Sequence, residues 1–124
     1  MKVLYEILVP TIYGDTLTPI KTKHHKQWDK FVQNITGGLT ILKPAIGKWT
    51  HKGKEYPTER VIPVRIMCFE PIMEPIIIRM GYYEPVYNKN QINKIIQFTL
   101  SHYRQKAVFY YQISDNVNVV YAKE

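Results

Sequence analysis

The sequence is poor in cysteine and has no long apolar run. Its single cysteine, Cys68, excludes an internal disulfide. No apolar stretch approaches the roughly 20 residues that a membrane-spanning helix needs. The opening segment MKVLYEILVP is typical of a strand rather than of a signal peptide, because a glutamate interrupts its apolar residues. We therefore expect a protein without a membrane segment, located in the cytoplasm.

The residue spacings of metal sites and nucleophilic enzymes are also missing. The histidines and the cysteine form no CxxC, HxxxH or HExxH pattern, and the chain contains neither a P-loop nor a GxSxG motif. We expect the adjacent pair His24–His25 to be plain surface residues that point to different sides of a helix. Ser101 beside His102 is only a helical neighbour pair. No metal, cofactor or protein nucleophile is predicted.

Negative charge is scarce as well. The chain has 10 Asp and Glu against 17 Lys and Arg, which gives a formal net charge of +7 and a pI near 9.5. Such a surplus favours anionic partners, including nucleotides and nucleic acids. The positive residues are scattered, however, and no RNP-type aromatic motif is present. Nucleic acid is therefore an open alternative as a partner, although not the favoured one.

What the sequence does contain is periodicity typical of one α+β domain covering residues 1–124. Apolar residues around Trp28 and Ile95 recur at helical spacing, whereas those of the strands follow one another or alternate. Gly37 and Gly38 offer the left-handed cap that ends the first helix, and Asn90 is a plausible N-cap for the second. The predicted elements are strands at 3–9, 39–42, 60–68, 107–113 and 117–121, with helices at about 22–36 and 90–103.

The order of these elements is βαββαβ with an extra C-terminal strand. Two helices that cross over one antiparallel sheet form the ferredoxin-like arrangement of the α+β class. Pro63 falls inside the third strand, which is central in this topology, and a central strand tolerates a missing N–H poorly. We therefore expect a β-bulge at Pro63.

A Pro-rich insert at residues 69–90 separates the third strand from the second helix. It contains three Glu-Pro pairs, yet it is too rich in Ile, Met and Tyr for a free loop. One interpretation is a lid packed on its own subunit. The other is an oligomer contact through residues 76–80, which would otherwise form an exposed apolar patch. We favour a homo-oligomer.

The turn before the third strand, HKGKEYPTER, contains the candidate functional carboxylates Glu55 and Glu59. They are either solvated turn residues or a means of presenting a carboxylate to a ligand. Glu59 is the stronger candidate because it immediately precedes the strand, where sheet pairing would fix its backbone. Glu55 follows Gly53 in the part of the turn that we expect to be flexible.

The same turn supplies residues suited to a nucleotide-like ligand. Trp49 and Tyr56 offer flat apolar surfaces on which a purine can stack. Lys54 and Arg60 offer positive charge, which suits phosphate groups. We therefore predict that an adenine-containing molecule binds near residues 49–59.

The segment PTERVIPVRIMC resembles a segment of the phage S-adenosylmethionine (SAM) lyases, anti-restriction enzymes once called SAM hydrolases. VLYEILVPTIYGD, KHHKQWDKFVQNITGGLT, SHYRQKAVFYYQ and VVYAK are similar to other parts of that family. The insert at 69–90 departs from the family pattern. The chain also resembles small uncharacterised bacterial domains with a Gly-Leu-Thr turn and a Gly-x-Trp, here Gly47-Lys48-Trp49.

The resemblance to SAM lyases implies a PII-like, ferredoxin-fold trimer with SAM bound in clefts between subunits. In that family the carboxylate of the substrate attacks its own γ-carbon, which releases methylthioadenosine and homoserine lactone without a protein nucleophile. Glu59 matches the site glutamate of the family. The resemblance also implies a bacterial or phage-infected host cytoplasm. Whether this chain turns over any substrate is left open.

Two alternatives accompany the lyase hypothesis. The first is a non-catalytic PII-like module that senses or sequesters an anionic nucleotide, with Lys52, Lys54 and Arg60 at its phosphates. The second is a basic nucleic-acid-binding or interaction protein, whose binding would weaken steeply with salt.

Overall fold

A central antiparallel sheet with two helices on one face organises the chain. The structure, a computed structural model, describes residues 1–48, 50–55, 59–70, 72–79, 82–87 and 89–123. The helices are α1 (Thr22–Thr36) and α2 (Asn90–His102). The strands are β1 (Lys2–Pro10), β2 (Thr40–Ile41), β3 (Ala45–Gly47), β4 (Thr50–His51), β5 (Lys54–Glu55), β6 (Glu59–Phe69), β7 (Ile72–Arg79), β8 (Tyr82–Tyr87) and β9 (Tyr110–Ser114).

The strand order of the main sheet is β2–β6–β1–β9, and β3 also pairs with β6. β1 is antiparallel to both of its neighbours, β6 and β9. Helix α1 therefore connects β1 to the outer strands β2 and β3, while α2 connects β6 to the opposite edge strand β9. These two split crossovers define the ferredoxin-like α+β fold, so the predicted fold class is confirmed.

The core lies between the two helices and one face of the main sheet. Alternate side chains of β1 and β6 point to this face, while the two helices bury one apolar stripe each. Cys68 belongs to the core, as predicted. The fully or nearly fully buried members of this set are Val3, Tyr5, Ile7, Val9, Trp28, Val32, Val64, Ile66, Cys68, Ile92, Ile95 and Tyr103.

The end of α1 follows the predicted capping chemistry. Gly37 adopts the left-handed conformation with φ of 87°, and its amide donates to the Gln33 carbonyl at 2.8 Å. A residue with a Cβ is strained at this φ, which explains the glycine.

Pro63 causes no bulge in the pairing of β6 with β1. The pairing of β1 with β6 runs without a register shift from Lys2↔Phe69 to Pro10↔Val61. The Leu8 amide, opposite Pro63, donates to the Phe109 carbonyl on the other side of β1 at 2.9 Å. Pro63 therefore directs its N atom towards the outer edge, where the neighbouring chain passes from β2 to β3. On this side the register shifts by one residue between Ile41↔Val64 and Ala45↔Val61, so that three residues face two. The predicted irregularity at Pro63 is therefore present, with the extra residue in the neighbouring chain rather than in β6.

Two further segments differ from prediction. Residues 116–123 contain no helix or strand, so the terminal strand predicted at 117–121 is not formed in the single chain. A strand needs a paired neighbour, and the chain leaves the sheet edge after β9. The insert contains β7 and β8, which pair with each other as a separate two-stranded sheet. The side chains at 76–79, and Met80 as a whole, lie outside the described part of the structure.

Within the described residues, no helix is long and apolar enough to cross a membrane.

Candidate functional site

Glu59 lies at a corner where three elements of the main sheet meet. It is the first residue of β6 and pairs with Gly47 of β3. On the other side, the Thr11 hydroxyl just beyond β1 donates to the Arg60 carbonyl at 2.7 Å. The backbone of Glu59 is thus held by pairing in the sheet, as expected from its position in the sequence.

The carboxyl group of Glu59 is half-buried and incompletely satisfied. Its Oε1 atom is buried and has no hydrogen-bond partner among the described residues. Burial raises the pKa of the carboxyl group, while a hydrogen bond from the Thr11 backbone amide opposes this shift. A buried carboxylate oxygen without a donor is unfavourable and requires an explanation such as an ordered water, an ion or a ligand. The group can accept a hydrogen bond or attract a cation.

Glu55 sits in a second, smaller element. β4 and β5 form a hairpin in which Thr50 pairs with Glu55. Its two-residue turn has φ of 52° at Lys52 and 74° at Gly53, the positive values that a type I′ turn requires. The Glu55 backbone is therefore paired within this hairpin, whereas that of Glu59 is paired in the main sheet. The Glu55 side chain lies outside the described part of the structure.

The remaining predicted site residues divide into two groups. Trp49 and Tyr56, the predicted purine platforms, lie outside the described residues. Lys54 and Arg60 are described and exposed, one on the hairpin and one directly after Glu59. Their charges are therefore accessible from solvent on the same stretch of chain as the Glu59 carboxyl group.

An open cleft of about 620 Å³ occurs at a different place on the sheet. It is lined by Leu4, Thr36, Gly37, Gly38, Leu39, Thr40, Leu42, Arg65 and Met67, and by none of those predicted site residues that the structure describes. Arg65 is six positions beyond Glu59 on β6, a separation of about 20 Å at strand spacing. The sequence signal for this cleft was the alternation of Arg65 and Met67 with the core residues of β6, which places both on the face away from the helices.

The histidines near the start of α1 are packed rather than free on the surface. His24 Nδ1 is hydrogen-bonded to the Tyr13 hydroxyl, and His25 Nδ1 lies 3.0 Å from the Tyr103 hydroxyl. His102 Nε2 lies 2.8 Å from the His24 carbonyl oxygen. The two neighbours do point to different partners, as predicted, but the expectation of plain surface residues was wrong. In the described part of the chain, no three His, Cys, Asp or Glu side chains are placed to hold a metal ion.

Comparisons with known proteins add evidence on the fold. No family model matches the chain, and no curated protein matches it. Among solved structures, the chain is similar to the divalent cation tolerance protein CutA1 from Thermus thermophilus, with a TM-score of 0.59 and 7% sequence identity. The match covers 96% of this chain and 88% of that chain. At this identity the likeness supports the ferredoxin-like, PII-like fold alone, and the resemblance to SAM lyases stays a prediction.

Proposed function

We propose that this chain is a PII-like module that binds an adenosyl compound close to Glu59. The observation that carries the proposal is the buried Glu59 Oε1 atom, which lacks a hydrogen-bond donor among the described residues while its backbone is fixed in the sheet. A ligand that supplies an ammonium or hydroxyl group would satisfy this oxygen. SAM has both, on its amino acid and on its ribose.

If the ligand is SAM, the module needs little chemistry of its own. The SAM carboxylate attacks the γ-carbon while the carbon–sulfur bond breaks, giving homoserine lactone and methylthioadenosine. Holding the substrate in a folded conformation supplies proximity. Glu59 would orient the substrate through its ammonium group, and a dry site would favour a step that neutralises the sulfonium charge. SAM lyase activity is a more specific proposal than the binding of an adenosyl compound.

A second candidate is an anionic nucleotide, bound without turnover. It is favoured by the exposed Lys52, Lys54 and Arg60 on the same stretch of chain as Glu59 and by the net charge of +7. Positive side chains suit phosphates, whereas they gain nothing from a ligand that is itself cationic.

We further propose a homo-oligomer, with a trimer as the favoured form. Large apolar side chains remain exposed in the single chain, and Val120 is 92% exposed. Others are Phe69, Phe109, Tyr111, Ile113 and Tyr121. An apolar surface of this extent is typical of a protein–protein contact. The contact would use the insert at 76–80 or an exposed sheet edge. Light scattering should show an assembly at micromolar concentration, and a monomer would contradict this part of the proposal.

The cytoplasm is the proposed location, because the one cysteine is buried and reduced.

The proposal of SAM lyase activity is tested by incubating purified protein with SAM and analysing the products by mass spectrometry. Methylthioadenosine and homoserine lactone should appear, and Glu59→Gln should lower the rate by two or more orders of magnitude, about 3 kcal/mol in activation free energy. Glu55→Gln should leave this rate nearly unchanged. An absence of products from the wild type would remove the lyase proposal. If mass spectrometry of the purified protein detects co-purified ATP or cyclic nucleotide, the result would support the anionic-nucleotide candidate.

A further inference from the structure

The outer surface of the two crossover helices is basic. This surface, here called the helix face, consists of the exposed residues of α1 and α2. Lysine, glutamine, asparagine, serine and threonine account for all of them, and none is acidic or apolar. Its positive charge comes from Lys23, Lys26, Lys30 and Lys94. The single acidic residue of the two helices, Asp29, is only partly exposed and interacts with His25.

Core packing fixes the direction of the three lysines on α1. Lys23, Lys26 and Lys30 recur at i, i+3 and i+7, which places them on one side of the helix. The buried residues Trp28 and Val32 lie on the opposite side. Lys23 and Lys30 are about 10 Å apart along the helix axis, at 1.5 Å per residue. The lysines therefore form a row that points away from the core.

Helix α2 extends the helix face beside this row. The rings of Phe31 and Phe98 stack with their centroids 4.0 Å apart, which joins the two helices side by side. Ile92 and Ile95 of α2 are buried, whereas Lys94 between them is exposed. The helix face is therefore a continuous basic surface that spans two helices.

The charges of the helix face are neither neutralised nor covered. None of its lysines forms an ion pair with a residue that the structure describes. The apolar side chains assigned to the oligomer contact include Phe69, which follows the core residue Cys68 on β6 and so lies on the sheet face without helices. The helix face is thus accessible to an anionic partner even when that opposite sheet face is covered.

We infer that the helix face binds the sugar–phosphate backbone of a nucleic-acid duplex. A duplex carries one negative charge per about 1.7 Å of its axis, so the row from Lys23 to Lys30 can face several phosphates. The glutamine, asparagine and serine side chains between the lysines are suited to donate hydrogen bonds to phosphate and sugar oxygens. The helix face is separate from Glu59, and the inference does not depend on the ligand proposed there.

The composition of the helix face favours a duplex over other anionic partners. Unpaired bases need exposed aromatic side chains on which to stack, but Trp28 is buried and Phe31 and Phe98 stack on each other. An anionic membrane surface is bound by helices that also expose apolar residues, which this face lacks. An acidic protein surface is a poorer match, because lysine is depleted in protein–protein interfaces.

Fluorescence anisotropy of a labelled DNA duplex, titrated with the full chain, tests this inference. Binding should weaken by about 100-fold between about 50 and 200 mM salt, the loss expected for four phosphate contacts. A variant that combines Lys23→Gln, Lys26→Gln and Lys30→Gln should bind at least about tenfold more weakly. The slope of its log affinity against log salt should be smaller by about 2–3, because three phosphate contacts are lost.

The matched control combines Lys43→Gln, Lys48→Gln and Lys123→Gln, three exposed lysines outside the helices. It changes the net charge equally and should keep the affinity within about threefold of wild type, because only the long-range charge is altered. Circular dichroism should show both variants folded, since glutamine and lysine have similar helix propensities.

Three results would overturn the inference. The first is no binding of the duplex by the wild type at about 50 mM salt, whether or not phosphatidylserine vesicles bind. The second is an equal loss of affinity in the helix-face variant and the control variant. The third is tighter binding of a single strand than of a duplex of the same length.

Discussion

Trp28 of α1 donates a hydrogen bond from its indole Nε1 to the Thr99 hydroxyl of α2 at 2.9 Å. The same hydroxyl donates to the Ile95 carbonyl at 2.6 Å, so both of its roles are used inside the core. This contact joins the two crossover helices through two fully or nearly fully buried side chains. Buried polar groups that satisfy each other in this way fix how two elements pack.

Thr99→Val should therefore destabilise the fold although it preserves the side-chain shape. The indole N–H loses its only described acceptor in a site without water access, and an unsatisfied buried donor costs about 1–3 kcal/mol in the free energy of unfolding. Urea denaturation measures this change. Thr50→Val, at an exposed position of β4, should stay within about 0.5 kcal/mol of wild type. If Thr99→Val lowers the free energy of unfolding no more than Thr50→Val does, the hydrogen bond does not contribute to stability.

Gly14 is required for a close approach of two backbone segments. Its amide donates to the Tyr103 carbonyl at 3.1 Å, and a Cβ at this position would lie 2.1 Å from the Arg104 carbonyl oxygen. That overlap is with backbone, which cannot rotate away. Gly14→Ala should lower the free energy of unfolding by about 1–3 kcal/mol or more.

Gly38→Ala is the matched control for Gly14→Ala, because a Cβ at Gly38 meets no atom within 4 Å. It should unfold at nearly the same denaturant concentration as the wild type. Equal effects at the two glycines would show that backbone entropy, rather than the steric overlap, dominates both substitutions.

His25 should make stability depend on pH. Burial lowers its pKa most, the His102 and His24 charges lower it further, and Asp29 opposes them. The unfolded chain therefore takes up the proton at higher pH than the folded chain. This contribution to stability is full above the unfolded pKa of about 6.5 and declines as the pH falls through that value towards the folded pKa.

His25→Asn should consequently reduce the fall in unfolding temperature between about pH 7.5 and pH 5.5, a range that brackets the unperturbed histidine pKa. Lys26→Asn, the next position on α1, keeps all the histidines and should retain the wild-type dependence. An identical pH dependence in His25→Asn and the wild type would assign the effect to other groups.

The elements that the sequence predicted well are those whose signal is local. The helix cap at Gly37 and the alternation around Val64 and Cys68 depend on neighbouring residues and on burial of one face. At Pro63 the sequence indicated that a bulge was needed, but it could not show which strand carries the extra residue, because pairing across the sheet is not a local property. The register places that residue in the chain between β2 and β3.

The candidate sites also combine features with a local sequence signal and features that depend on distant residues. The position of Glu59 at the start of β6 could be predicted from the adjacent apolar run. The hydrogen bond that its carboxyl group accepts from the Thr11 backbone amide could not be predicted in this way, because Thr11 lies in a distant part of the chain. The cleft lined by Arg65 and Met67 was missed for a similar reason. Glu6 and Arg65 are 59 positions apart, and only the β1–β6 register shows that one anchors the other.

The most direct test of the account is a calorimetric titration of the wild type, Glu59→Gln and Glu55→Gln with SAM, ATP and a cyclic nucleotide. We predict that at least one adenosyl ligand binds the wild type. Glu59→Gln should weaken that binding by at least about tenfold, the loss expected for a charge-assisted hydrogen bond. Glu55→Gln should bind as the wild type does. No binding of any of the three compounds to the wild type, or an unchanged affinity in Glu59→Gln, would contradict the proposed role of Glu59.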